Sequence, residues 1–159
     1  MLVIELEIGN LLRNKHLTLG TVESATGGLL SYLITTIPGS SDYYKGSIIS
    51  YSNEIKARVV GVKEETLAKE GAISSAVAEE MAAGGRRVLG VDICLSDTGI
   101  AGPGGATVER QVGLFYIGMS HASGTASQAH IFGGNREQNR RQAADAALKW
   151  LRDYLISLT

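Results

Sequence analysis

The order of apolar and polar positions along the chain predicts strands that alternate with helices. Apolar side chains recur at helical spacing in several segments, and short runs rich in β-branched residues lie between them. A helix is predicted to begin at Ser52 or Asn53, whose short polar side chains cap helix starts. The other predicted helices cover residues 2–13, 29–36, 64–69, 75–89 and 136–158. The predicted strands cover residues 17–22, 44–51, 91–97, 112–119 and 126–132, and the last two form a hairpin.

This alternation predicts the fold class. Strands and helices in turn, followed by one hairpin, indicate an α/β fold: a three-layer α/β/α sandwich around a mixed, mostly parallel sheet. The chain has 159 residues, so we expect residues 1–159 to form a single domain. Hydrophobic residues make up 44% of the chain and charged residues 19%, a globular balance that argues against long disordered segments.

Charge and composition argue against several classes of protein. Lys and Arg total 15 against 16 for Asp and Glu, so no net field favours nucleic acid or an anionic membrane. No apolar run reaches the roughly 18 residues of a membrane span. Residues 1–7 carry acids where a secretory signal needs basic residues. The single cysteine, Cys94, has no internal disulfide partner, which is typical of a reducing compartment. We therefore expect a cytoplasmic protein without nucleic-acid or membrane partners.

The first candidate for chemistry is Ser24, at a turn from a predicted strand to a predicted helix. Gly27 and Gly28 follow it in this turn, where glycine lets the backbone approach a ligand closely. Such turns lie at the carboxyl edge of the sheet, where open α/β sheets bind ligands. The N–H groups of the following helix favour an oxyanion or a phosphate. The alternative is that Ser24 and Thr26 only cap the helix.

A serine nucleophile needs a base, and Lys56 is the strongest candidate. The three histidines, at positions 16, 121 and 130, fall on none of the strand-to-helix loops. Lys56 lies in the first turn of the helix that follows the strand ending at Tyr51. The positive helix end and burial would both lower the pKa of its amine. The Tyr51 phenol would orient the amine or relay its proton. The alternative is an ordinary solvated lysine.

Two further segments are suited to binding anions. The loop 98–105 begins at Thr98 and Gly99, and its glycines can turn successive N–H groups towards one anion. Its glycine spacing is not that of a dinucleotide fingerprint or of a Walker loop. Arg136 and Arg140 lie one turn apart at the start of the last predicted helix and suit a phosphate clamp, although exposed helical arginines are common. No His/Cys cluster has the spacing of a metal site.

These segments, in this order, resemble the CinA C-terminal domain family, whose stand-alone members include bacterial nicotinamide mononucleotide deamidases. The resemblance extends over residues 11–155. It is carried by ESATGG at 23–28, PGSS at 38–41, YSNEIK at 51–56, GAIS at 71–74, TGIAGP at 98–103, VG at 112–113 and GGNR at 133–136. It implies hydrolysis of the carboxamide of nicotinamide mononucleotide, without a cofactor, to nicotinic acid mononucleotide and ammonia.

The resemblance also implies roles for individual residues. Ser24 would be the nucleophile and Lys56 the base, with Tyr51 and Thr98 in support. The expected substrate-binding residues are Thr26, Gly27, Gly28, Asn53, Gly99, Arg136 and Arg140. The chain departs from the family pattern at Ala25, commonly cysteine, at Gly104, usually acidic, and at Arg110-Gln111, usually Lys-Pro. The loop that holds the last two departures is expected to shape the substrate pocket.

Two hypotheses about function follow. The first is a Ser/Lys amidohydrolase acting on a small-molecule nucleotide. The second is a non-catalytic pyridine-nucleotide-binding module, in which the glycines and Arg136 bind phosphate but Ser24 and Lys56 lie out of reach of each other. The distance between the Ser24 Oγ and the Lys56 Nζ separates the two. Exposed edge strands in so small a domain also lead us to expect a homo-oligomer.

Overall fold

A computed structural model describes residues 3–158 of the chain. Its centre is a five-stranded sheet with the spatial order β2-β1-β3-β4-β5. The strands are β1 (Leu19–Glu23), β2 (Tyr44–Ile49), β3 (Ile93–Gly99), β4 (Leu114–His121) and β5 (Gly124–Ile131). The β1 strand pairs in parallel with β2 and β3, while β4 pairs antiparallel with both β3 and β5. The sheet is therefore mixed, with a parallel core of three strands and an antiparallel hairpin at one edge.

Helices cover both faces of this sheet. They are α1 (Val3–Lys15), α2 (Leu29–Thr35), α3 (Asn53–Ile55), α4 (Glu64–Glu70), α5 (Ser75–Leu89) and α6 (Arg136–Ser157). The apolar sides of α1, α2 and α6 pack together on one face, against inward side chains such as Leu95 and Ile117. The α5 helix packs on the other face, against Val22 and Cys94. The α/β class and the three layers predicted from the sequence are confirmed.

The connections create a crevice at the carboxyl edge of the parallel strands. The β1 strand continues into α2 on one face, whereas β2 continues towards α5 on the other face. The segments that follow these two neighbouring strands therefore lie on opposite faces of the sheet. Open α/β sheets bind ligands in the crevice at such a point. Glu23 and Ile49, which end β1 and β2, are paired across this edge.

Most predicted elements lie where the sequence placed them, and α5 has the predicted bounds. The predicted bounds of β3 are corrected, because the strand begins and ends two residues later than predicted and includes Thr98 and Gly99. These residues pair with Tyr116 and Phe115 of β4. A Cβ at Gly99 would lie 2.4 Å from the Phe115 ring. Gly99 is therefore a strand residue under an aromatic ring, and the glycine-rich loop begins after it.

The segment predicted as one helix from Ser52 or Asn53 is two short pieces. The Ser52 hydroxyl accepts a hydrogen bond from the Ile55 N–H and caps the single turn α3. The chain then widens into a five-residue π-helical turn, Lys56–Val60. Such widened turns often occur at functional sites, and this one begins at the predicted base. Within residues 3–158, no helix has the length and apolar character needed to cross a membrane.

Candidate active site

The two residues proposed from the sequence as nucleophile and base meet at the carboxyl edge of the sheet. Ser24 follows β1 directly, and Lys56 opens the π-helical turn after β2. The Lys56 Nζ lies 2.9 Å from the Ser24 Oγ, although the residues are 32 positions apart in the chain. The main chain fixes this approach, because the Ser50 N–H donates to the Glu23 carbonyl at 2.8 Å. The two side chains are therefore within hydrogen-bond reach.

The Lys56 Nζ contacts three oxygen atoms, which accept the three N–H groups of its ammonium form. The Nζ donates to the Ser50 carbonyl at 2.7 Å and to the Tyr51 carbonyl at 3.1 Å. A neutral amine has two N–H groups for these carbonyls and one lone pair. That lone pair is then available to the Ser24 O–H, which is the contact a general base requires.

Burial is the reason why this amine can lose its proton near neutral pH. Only 1% of Lys56 is exposed to solvent. Desolvation lowers the pKa of Lys56 from 10.5 to about 8, and the Asp97 carboxylate opposes this shift. The sequence predicted the direction of the shift but not Asp97.

The carboxylate of Glu23 holds the Ser24 turn, which we define as residues 24–28. It accepts hydrogen bonds from the N–H groups of Gly28 and Leu30 at 3.0 and 2.9 Å, and from the Ser31 N–H at 3.0 Å. A carboxylate is a favoured partner for free N–H groups at a helix start. From the sequence we expected the N–H groups at the start of α2 to bind an oxyanion or a phosphate. In the structure the Glu23 carboxylate binds them instead.

Arg140 of α6 holds the Ser24 turn, which includes Thr26 and Gly27. The Arg140 guanidinium donates to the carbonyls of Ala25 and Thr26 at 3.0 and 2.9 Å. Gly27 has a φ of 58°, and a Cβ there would lie 3.0 Å from the Arg140 guanidinium. Thr26, Gly27, Gly28 and Arg140, expected to contact the substrate, are not among the residues that line the cavity beside Ser24. In this structure Thr26, Gly27 and Gly28 are part of the Ser24 turn, and Arg140 contacts carbonyls of that turn.

Asp97 is the residue that the sequence analysis missed. It is buried in β3, accepts the Thr26 N–H at 3.0 Å and hydrogen-bonds the Thr26 hydroxyl. In the register of β1 and β3, Val22 pairs with Ser96, so Glu23 and Asp97 lie next to each other. One signal in the sequence points to Asp97: an acidic residue stands near the end of each of two apolar strands. Acidic residues are rarely buried unless they are paired, so their presence in such strands is not explained by contact with solvent.

A cavity of about 250 Å³ opens beside the Ser24–Lys56 pair. Its lining includes the predicted residues Tyr51, Asn53, Thr98, Gly99 and Arg136, together with Ala72, Ile73 and the glycine-rich loop. The Thr98 hydroxyl donates to the Ala72 carbonyl at 2.8 Å. Arg110, one of the departures from the family pattern, donates to the Ile73 carbonyl at 2.7 Å. It thereby holds the part of the cavity wall formed by Ile73.

Arg136 and Tyr51 form the rim of this cavity. The Arg136 guanidinium donates to the Gly102 carbonyl at 2.9 Å and to the Tyr51 hydroxyl at 3.3 Å. Tyr51 is 62% exposed to solvent. Its phenol contacts Arg136, whereas its main-chain carbonyl contacts the Lys56 amine. The role of the phenol in orienting the amine or relaying its proton stays a prediction. The start of α6 is fixed by a capping box between Asn135 and Gln138.

Neither a histidine nor a metal cluster forms part of this site. His121 stacks on Tyr154 and His130 on Phe132, and no histidine lines the cavity. In the part of the chain that the structure describes, residues 3–158, no three His, Cys, Asp or Glu side chains are grouped as they would be around a metal ion.

The fold and the site together define a class: a three-layer α/β/α protein with a buried Ser–Lys pair at the carboxyl edge of its sheet. Residues 2–155 match the CinA C-terminal domain family. The chain belongs to that family.

Relatives from several bacteria agree with this assignment. The chain is 46% identical over 145 residues to a "Putative competence-damage inducible protein" of Moorella thermoacetica, covering 91% of this chain and 35% of the relative. It is 44% identical over 156 residues to a "CinA-like protein" of Chloroherpeton thalassium, covering 96% of this chain and 37% of the relative. The chain thus spans about a third of the length of these curated relatives.

Solved structures share the fold over almost the whole chain. The competence damage-inducible protein A (ComA) from Klebsiella pneumoniae has a TM-score of 0.96 at 28% identity, with 99% of this chain and 98% of that chain covered. The competence/damage inducible protein CihA from Agrobacterium tumefaciens has a TM-score of 0.86 at 32% identity, with 95% and 96% covered. The names of these two proteins describe induction and state no reaction.

Proposed function

We propose that this protein is a nicotinamide-nucleotide amidohydrolase. It would hydrolyse the carboxamide of nicotinamide mononucleotide to nicotinic acid mononucleotide and ammonia, by a Ser/Lys mechanism and without a cofactor. One observation carries the proposal: a buried lysine amine, bound to two carbonyls, lies 2.9 Å from a serine hydroxyl beside a cavity. This is the arrangement in which a lysine acts as the base for a serine nucleophile.

The first half of the reaction is acylation of Ser24. Its Oγ attacks the carboxamide carbon while the Lys56 amine takes the hydroxyl proton. The negative charge that develops on the carboxamide oxygen is held by main-chain N–H groups that border the cavity. Each such donor is worth about 3 kcal/mol in comparable sites. The Lys56 ammonium then gives its proton to the leaving nitrogen, which departs as ammonia and leaves an ester on Ser24.

The second half is hydrolysis of that ester. Lys56, uncharged again, takes a proton from a water molecule that attacks the ester carbon. The ammonium then returns the proton to the Ser24 oxygen as the carbon–oxygen bond breaks. The product is a carboxylic acid, which loses its proton to water and leaves as a carboxylate, and both residues regain their initial state.

Thr98 supports an amide rather than an acid as the substrate. Its hydroxyl hydrogen is donated to the Ala72 carbonyl, so only its oxygen lone pairs remain for a ligand in the cavity. A carboxamide nitrogen carries hydrogens for these lone pairs, whereas the carboxylate of the product carries none. The contact therefore favours binding of the substrate and release of the product.

Arg136 supports a substrate with an anionic group at its far end. The guanidinium lies on the rim of the cavity, and its contacts with the Gly102 carbonyl and the Tyr51 hydroxyl fix its direction. Arginine binds phosphate through two parallel N–H groups. A 5′-phosphate held there would orient the carboxamide towards Ser24 with remote binding energy.

Ammonia release from nicotinamide mononucleotide tests the proposal. We expect turnover by the wild type and a loss of at least about a thousandfold in kcat for Ser24→Ala and for Lys56→Ala, since each removes one half of the pair. The exposed residues Ser41 and Lys45 provide matched controls, and Ser41→Ala and Lys45→Ala should keep wild-type rates. Equal turnover in all five proteins would reject the pair as the catalytic residues.

The same measurement separates the amidohydrolase from the binding module. The module hypothesis placed Ser24 and Lys56 out of reach of each other, and their distance of 2.9 Å removes that reason for it. Binding of the nucleotide by the wild type with no release of ammonia would nevertheless favour the module.

A further inference from the structure

Two buried carboxyl groups share one hydroxyl beneath the Ser24 turn. Glu23 and Asp97 are 0% and 1% exposed and lie side by side on β1 and β3. The Thr26 Oγ1 lies 2.8 Å from the Glu23 Oε1 and also hydrogen-bonds the Asp97 Oδ2. The mechanism proposed above uses neither carboxyl group, so their protonation is a separate question.

Hydrogen bonds around Glu23 identify it as the ionised member of the pair. Its Oε1 accepts the N–H groups of Gly28 and Leu30, and its Oε2 accepts the Ser31 N–H. The hydroxyls of Ser31 and Ser47 also donate to the Oε2, the latter at 3.2 Å. Main-chain N–H groups can only donate, so a carboxylate satisfies this shell and a proton on Glu23 would displace one of its donors.

The remaining hydrogens do not suffice for two ionised groups. The Thr26 hydroxyl has a single hydrogen but contacts an oxygen of each carboxyl group. If Glu23 and Asp97 were both ionised, one pair of buried oxygens would face each other with no hydrogen between them, which is costly. The cluster therefore holds one extra proton, and the donor shell of Glu23 leaves Asp97 as the group that carries it.

We propose that Asp97 is a positioning residue that works as a neutral carboxylic acid, donating its proton to the Thr26 oxygen while accepting the Thr26 N–H. The Thr26 hydroxyl then donates to Glu23, and every hydrogen in the cluster has an acceptor. Its catalytic role, which rests on the proposed function, is to hold the Ser24 turn without placing a negative charge beside Lys56.

The groups around Asp97 act on its protonation in opposite directions. Glu23 faces it from β1, and Lys56 approaches from the π-helical turn. Arg140 of α6 is directed to the carbonyls of the Ser24 turn rather than to Asp97. Burial raises the pKa of the Asp97 carboxyl to about 6 and the Glu23 charge adds to the rise, while hydrogen bonds from Thr26 and Ser24 oppose it.

The protonation of Asp97 matters because of Lys56. An ionised Asp97 raises the pKa of the Lys56 amine. The amine then stays protonated and cannot take the Ser24 proton. A neutral Asp97 removes that effect while keeping the hydrogen bonds that hold the turn. The same side chain can therefore position Ser24 without weakening its base.

Carboxyl ¹³C NMR of protein labelled in its aspartates tests the protonation directly. The chain contains five aspartates: Asp42, Asp92, Asp97, Asp145 and Asp153. We expect one protonated carboxyl signal at pH 6 in the wild type, which disappears in Asp97→Asn and stays in Asp92→Asn. Asp92 is a matched control, because it too accepts the N–H and the hydroxyl of one threonine, Thr18, and within residues 3–158 that hydroxyl is not shared with a second carboxyl group. A wild-type spectrum without a protonated aspartate overturns the proposal, even if Asp97→Asn does not fold.

The pH profile of ammonia release tests the positioning role. In Asp97→Asn the amide imitates a neutral acid, so we expect kcat/KM within about threefold of wild type and an unmoved acidic limb. A limb that shifts to lower pH by more than about 0.3 unit overturns the proposal, because it would show that the wild-type residue is an anion. Asp97→Ala should lose at least about tenfold in kcat, since the Ser24 turn loses its support. If no protein releases ammonia, the proposed function fails, while the NMR count still decides the protonation of Asp97.

Discussion

At the scale of single residues, Lys56 illustrates how packing changes the chemistry of a side chain. A lysine on a helix surface is a charged amine, whereas here the amine is buried between two carbonyls and a serine hydroxyl. The sequence predicted Ser24 and Lys56 as candidates, because each follows a strand at the carboxyl edge of the sheet. It did not predict Asp97, because the role of that residue depends on Glu23 and Thr26, which are distant from it in the chain.

The pKa of Lys56 predicts the pH dependence of activity. Below the pKa the amine is an ammonium and cannot take the Ser24 proton, so kcat/KM should fall about tenfold per pH unit there. Above it the rate should reach a plateau, with the limb at or below about pH 8 rather than at the 10.5 of a free lysine. A rate profile for nicotinamide mononucleotide between pH 5 and pH 10 measures this. A limb above about pH 9 would contradict an amine desolvated in the free enzyme.

Arg136 carries a prediction about the substrate phosphate. We expect Arg136→Ala to lower kcat/KM for nicotinamide mononucleotide by about 10- to 100-fold, the value of one charge-assisted contact. The effect on nicotinamide riboside, which lacks the phosphate, should be less than about threefold. Arg141→Ala is the matched control, because Arg141 is exposed on the same helix and pairs with Asp145 at 3.6 Å. Equal losses for both substrates would mean that Arg136 supports the rim of the cavity and does not bind the phosphate.

At the scale of the elements, α5 packs closely against the sheet at Gly85 and against the π-helical turn at Gly84. A Cβ at Gly85 would lie 2.2 Å from the Val22 Cγ2 and 2.7 Å from the Cys94 Sγ. Glycine lowers the intrinsic stability of a helix interior, and here close packing of helix and strand is the reason for it. The sequence predicted this helix with its observed bounds but not the reason for its two glycines.

A methyl group at Gly85 should therefore destabilise the protein. We expect Gly85→Ala to lower the free energy of unfolding by about 1 to 3 kcal/mol, because the added carbon overlaps buried side chains of two strands. Urea unfolding followed by circular dichroism measures the change. Gly133→Ala is the control, since nothing lies within 4 Å of a Cβ there and its φ is not positive. An unchanged midpoint in Gly85→Ala would mean that α5 does not pack as closely as described.

At the scale of the whole molecule, the order of the strands brings the site together. The β1 strand lies between β2 and β3, so the chain segments after all three strands meet at one edge. The segment after β1 brings Ser24, the one after β2 brings Lys56, and the end of β3 brings Asp97 and Thr98. The same order leaves β2 and β5 as the edges of the sheet. The predicted homo-oligomer stays a prediction on that ground, and light scattering of the purified protein measures it.

The amino-acid sequence by itself determined the alternation of strands and helices, the fold class and the positions of the turns that carry chemistry. These properties are local, because apolar periodicity, caps and glycines act over a few neighbouring residues. Only the tertiary structure decided which turns meet. It placed Lys56 against Ser24 across 32 residues and Asp97 against Thr26 across 71 residues. It also directed Glu23 and Arg140 to the Ser24 turn, because such contacts depend on strand order and on burial, which the packing of the whole chain sets.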